Sequence, residues 1–172
     1  MSQQILAATR KGLFTIAQDH GQWTIRDAAF LGDNLSLVGY DSRDSALYAA
    51  FSHGHFGIKL QRSDDGGKNW QEIAAPAYPA DIVESPPLVD DFRKVPIPWS
   101  VQLIWALEPG GSDQPGTLWL GTIPGGLFRS DNRGESWELE RNRECSTVGV
   151  WVCHCGPPEQ QRTCLDCAGR QR

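Results

Sequence analysis

Hydrophobic residues fall in short runs along this chain, separated by polar turns that carry glycine. Such runs are too short for amphipathic helices and predict β-strands. Three segments share one pattern: "ILAATRKGLFTIAQDHGQWTI" (Ile5 to Ile25), "LYAAFSHGHFGIKLQRSDDGGKNWQEI" (Leu47 to Ile73) and "LWLGTIPGGLFRSDNRGESWELE" (Leu118 to Glu140). Each reads as an apolar strand, a glycine-containing turn, a second apolar strand, a polar glycine turn and a strand led by tryptophan. A further strand precedes the second and third copies, "LSLVGYD" (Leu35 to Asp41) and "VQLIWALE" (Val101 to Glu108). The remaining predicted strands are Ala46 to Phe51, Gly57 to Ser63, Trp70 to Ile73, Thr117 to Thr122, Gly126 to Ser130 and Trp137 to Glu140. The first copy starts at its second strand and lacks an inner one.

Trp23 and Trp70 are 47 positions apart, and Trp70 and Trp137 are 67 apart. An insertion near Pro76 to Pro98 accounts for the difference. A repeat of this length built from short strands is the signature of a β-propeller blade. Several runs are apolar on both faces, as sheets stacked between neighbours require. The expected fold is therefore all-β, a partial propeller of about three blades over residues 1–142, with an insertion loop over 75–100. Closed propellers have about 4–8 blades. Unfinished edges and apolar faces therefore predict self-association.

The polar turns of the second and third copies both fit S-x-[DN]-x-G-x-x-W. Ser63, Asp65, Gly67 and Trp70 form one; Ser130, Asn132, Gly134 and Trp137 form the other. The Asp or Asn oxygen can accept backbone N–H groups of its own turn. The glycines supply backbone conformations that a Cβ disfavours, and the tryptophans bury a large apolar area. Asn132 keeps the acceptor oxygen without the charge, which suits a structural hydrogen bond better than a calcium ligand. "DDGG" is not a phosphate loop, because no Lys-Ser/Thr and no helix follow.

These loops resemble the Asp boxes, or BNR repeats, of sialidase-type β-propellers, over about residues 5–142. With "KGLF" and "GGLFRSD", the segment most resembles bacterial Asp-box proteins described as sialidase-like or glycosyl hydrolase-like. The resemblance implies boxes at the blade periphery, away from a central site. A sialidase also needs an Arg cluster for a carboxylate, a Tyr nucleophile paired with a Glu, and an acid/base Asp. The first Arg of that family lies in an R-I-P motif before the first box. No such motif precedes Ser63, and "RKVPIP" (Arg93 to Pro98) comes after it. The three tyrosines are Tyr40, Tyr48 and Tyr78, and Tyr48 sits in a strand pattern. The expected function is a non-catalytic scaffold binding a protein or glycan; the alternative is a sialidase-like exo-glycoside hydrolase.

A net charge of −5 disfavours nucleic-acid or anionic-membrane binding, which needs a basic face. No apolar run approaches the length of a membrane span. The first residues lack a basic segment followed by a long apolar one, and residues 1–144 contain no cysteine, so the expected compartment is the cytoplasm. The insertion carries candidate ligand contacts Tyr78, Asp90, Asp91, Arg93 and Trp99, since long loops on rigid scaffolds often carry function. His53 and His55 share a face if extended, but no third metal ligand is assignable.

Composition changes after Asn142. Residues 143–172 hold all five cysteines. Cys153, Cys155, Cys164 and Cys167 offer four thiolates for zinc, with His154 as a substitute. A second reading continues the propeller, with "TVGVWV" (Thr147 to Val152) as the inner strand missing from the first copy. A third, favoured reading makes the tail foreign to the fold, the product of a shifted reading frame or truncated gene.

Overall fold

The structure, a computed structural model, describes residues 3–140 except His55, Phe56, 83–88, Asp91, Arg93, Pro96 and Pro98. Eleven strands form three antiparallel sheets among these residues. Sheet 1 contains β1 (Gln4–Thr9), β2 (Gly12–Asp19) and β3 (Gln22–Ala29), in that order. Sheet 2 runs β4 (Leu35–Asp41), β5 (Ala46–Ser52), β6 (Ile58–Ser63) and β7 (Gln71–Ile73). Sheet 3 runs β8 (Leu103–Pro109), β9 (Leu118–Ile123), β10 (Gly126–Ser130) and β11 (Glu138–Leu139). Every strand pairs with its neighbour in the chain, so each sheet is a simple meander.

The sheets stack face to face. One core joins sheets 1 and 2 through Leu13, Leu35, Ala49 and Phe51, with Leu6, Ala8, Phe30 and Trp70 packed around them. A second joins sheets 2 and 3 through Tyr48, Ala50, Leu60, Ile104, Leu120 and Phe128. Sheet 2 is covered on both sides, and this explains β5: Ala46 to Phe51 are all buried, because odd and even positions face different neighbours. The inner strands β4 and β8 lie against one another, and β1 lies against β4. Three meanders stacked in sequence around adjacent inner strands make this fold a partial β-propeller.

The strand boundaries lie close to those expected from the sequence. The largest departures are β8, which begins at Leu103 where Val101 was expected and runs on to Pro109, and β11, which is two residues long where four were expected. Both complete sheets carry a bulge at the same place in the inner strand, at Leu35/Leu37 and Ile104/Ala106. Among the described residues β1 pairs on one side only, with β2.

Candidate functional site

The two Ser-x-Asp/Asn loops connect the third and fourth strands of sheets 2 and 3, and they share one hydrogen-bond plan. Ser63 Oγ donates to Asp65 Oδ1 at 2.8 Å and accepts from the Gly67 N–H at 2.9 Å. Asp65 Oδ1 also accepts the N–H groups of Lys68 and Asn69, at 3.0 and 2.9 Å, and Oδ2 accepts Asn69 Nδ2. In the other loop Ser130 Oγ donates to Asn132 Oδ1 at 2.9 Å and accepts from Gly134 N–H at 2.9 Å. Asn132 Oδ1 accepts Ser136 N–H, while its Nδ2 donates to Ser136 Oγ. Gly67 and Gly134 hold positive φ of 92° and 87°. The donors from Asn69 and Ser63 hold the Asp65 carboxyl at a pKa of about 2.

Both tryptophans reach toward the preceding sheet. Trp70 donates its indole N–H to Gly67 O and packs edge-on against Phe30, with ring centroids 5.1 Å apart. Trp137 donates to Ala74 O, past the end of sheet 2, at 2.8 Å. A Cβ on Gly134 would meet Ile73 Cδ1 at 2.7 Å, so the loop that carries Gly134 sits directly on sheet 2.

Charged groups complete the joint between sheets 2 and 3. Arg43 holds Asp41 through Nε and Nη2, at 2.9 and 2.7 Å. The same guanidinium donates to the carbonyls of Gly110, Gly111, Gln114 and Thr117, all in the turn between β8 and β9. The Arg43 hydrogen bond is the main cause that holds the buried Asp41 carboxyl below its ordinary pKa. Arg133 pairs with Asp44 and Asp64 at 2.7 Å each. Tyr48 lies fully buried beside this network; burial first, then the Asp44 charge, raises its pKa. A phenol shut off from solvent in this way cannot meet a substrate.

The insertion has a fixed root and an exposed tip. Tyr78 turns inward: its hydroxyl bonds Thr122 Oγ1 at 2.8 Å and Pro124 O, and its ring packs on Phe128 at 5.2 Å. Trp99 crosses Tyr78 edge-on at 5.4 Å, and its backbone N–H donates to Ile82 O. At the tip, Asp90 N–H donates to Val95 O, Lys94 N–H to Asp90 O, and Phe92 N–H to Asp90 Oδ1. Phe92 stands at the end of this turn, 98 % exposed. Its exposure was not foreseen, because sequence shows an aromatic residue's type but not its direction. Asp91 and Arg93 lie outside the described residues.

A cleft of about 480 Å³ opens between the β5–β6 turn and the end of the insertion. It is lined by Ser52, Gly54, Gly57, Ile58, Val101 and Gln102, among others. Nearby, His53 stacks on Phe51 with ring centroids 5.6 Å apart; His55 lies outside the described residues. Among the described residues no three His, Cys, Asp or Glu side chains gather as a metal set. Nor is any helix among them long and apolar enough to cross a membrane. Cys153, Cys155, Cys164 and Cys167, His154, the Thr147 to Val152 strand and the whole 143–172 segment also lie outside the described residues.

No known protein family matches the chain. No curated protein matches it either. Among solved structures it is similar to one described as "YCF48 bound to D1 peptide", at 16 % identity and a TM-score of 0.41, covering 81 % of this chain and 42 % of that one. It is also similar to YCF48 from Cyanidioschyzon merolae, at 18 % identity and a TM-score of 0.39, covering 80 % of this chain and 39 % of that one. The chain thus spans about two fifths of the length of these structures.

Proposed function

We propose that this chain is a non-catalytic, Asp-box-type propeller scaffold that docks a protein through the tip of its insertion. The observation that carries the reading is Phe92, held almost wholly in solvent on a hydrogen-bonded turn. Val89, Val95 and Ile97 are exposed around it. An aromatic anchor on a pre-ordered turn is the usual form of a binding hot spot, because little ordering entropy remains to be lost. The apolar character of the tip favours a protein groove over a glycan. The matching hydrogen-bond plans of the two loops support the Asp-box assignment. Cysteine-free residues 1–144 support a cytoplasmic setting.

The test places a photo-crosslinking amino acid at position 92 of the full chain in cells. A discrete protein adduct is expected, competed away by excess wild-type chain but not by excess Phe92→Asp chain. Absence of an adduct, or equal competition by Phe92→Asp, would overturn the docking role. Turnover of a fluorogenic sialoside by the purified chain would overturn the non-catalytic reading.

A further inference from the structure

Sheets 1 and 3 each have one face packed on sheet 2 and one face that nothing covers among the described residues. On sheet 1 the open face is set by register: Ile5 lies opposite Ile16, Ile16 opposite Ile25, and Gln18 opposite Trp23. Residues directly opposite in an antiparallel pair share a face. Ile25 is 65 % exposed and Trp23 45 % exposed. On sheet 3, Trp119 lies opposite Glu108 and Arg129, and Gly121 lies opposite Ala106 and Leu127. Trp105 lies across Gly121 on this face and is 53 % exposed.

The repeat shows what these faces are made to meet. "ILAAT" of β1, "LYAAF" of β5 and "LWLGT" of β9 are equivalent strands. Ile5 and Ala7 therefore occupy the places of Leu118 and Leu120, which are buried against the preceding sheet. Trp119 and Gly121 occupy the places of Tyr48 and Ala50, which are buried against the following sheet. Ile25, opposite Ile16, takes the place that Trp70 and Trp137 hold before β7 and β11, and both of those pack toward the preceding sheet. The open faces are thus the two halves of the joint that the chain already makes twice.

We infer that the occupant is a second copy of this chain: sheet 3 of each copy stacks on sheet 1 of the other, and two copies close a six-sheet ring. The joint is head-to-tail, but used twice it closes under two-fold symmetry instead of growing a filament. Six sheets fall within the range in which propellers close.

The test is the mass of the full 172-residue chain in solution by light scattering, with circular dichroism as the check on folding. Wild type is expected at twice the 19.0 kDa of one chain, independent of concentration. Ile25→Lys and Trp105→Glu alter opposite faces at exposed positions, and each alone is expected to give a folded monomer. Mixed in equal amounts they are expected to regain dimeric mass, because one joint of the mixed pair is wild type and the other sets Lys against Glu. A monomeric wild type overturns the proposal, as does a mass that climbs with concentration. Dissociation by only one of the two variants also overturns it, since that result indicates like faces meeting.

Discussion

Asp65 and Asn132 occupy equivalent places and differ by one charge, and that difference sets how the two loops respond to acid. Asp65 has a folded-state pKa of about 2 against an ordinary 3.8. A carboxyl with a depressed folded pKa contributes stability in full above its unfolded value, and that contribution is lost as pH falls through the folded one. The expected result is that Asp65→Asn flattens the decline in melting temperature between about pH 4 and pH 2. Thermal scans across that interval check it; parallel curves for the two proteins would contradict it. Ser130 makes a different contribution. Its hydroxyl serves the buried N–H of Gly134, so Ser130→Ala leaves that donor without its partner and should cost about 2 kcal/mol. Trp137→Ala removes both the packing on sheet 2 and the bond to Ala74, and about 3 kcal/mol is expected, the low end for an aromatic truncation because the ring is only partly buried. Urea titration measures both.

At the scale of elements, the turn after β4 does more than reverse the chain. Arg43 ties the buried carboxylate of Asp41, at the end of β4, to four carbonyls in the next sheet's turn. Replacing it by Ala leaves Asp41 charged, buried and unpaired, and a loss of about 3–5 kcal/mol is expected. Arg43→Lys should recover only part of this, because an ammonium cannot present the planar fork. Denaturation midpoints of the two variants test the ranking; equal losses would show that fork geometry is irrelevant. Nothing in "DSRDS" announces this role, since the partners lie about seventy residues away and become neighbours only when the sheets stack. The strands themselves were legible, because alternating apolar runs and glycine turns are local signals. The insertion was legible as an insertion, but not in its directions. Tyr78 and Trp99 turn in and Phe92 turns out, and that choice depends on the pocket above Gly126, whose missing side chain makes room for the Tyr78 ring.

For the whole molecule, the repeat spacing conveyed a row of stacked sheets because each blade is a contiguous piece of chain. Which faces remained open could be assigned only after register was known, since a slip of one residue exchanges the two sides of a strand. Among the described residues of one chain, sheet 2 is the sheet packed on both faces, and that position implies a gradient of protection along the chain. Backbone amides of β5 can exchange with deuterium only when both flanking sheets part from it, whereas those of β3 need only local fraying at an outer strand. Exchange should therefore run slowest through Ala46–Ser52 and quicken toward both outer strands, β3 and β11. The middle of the sequence would then act as the molecule's slow clock, timing its global opening.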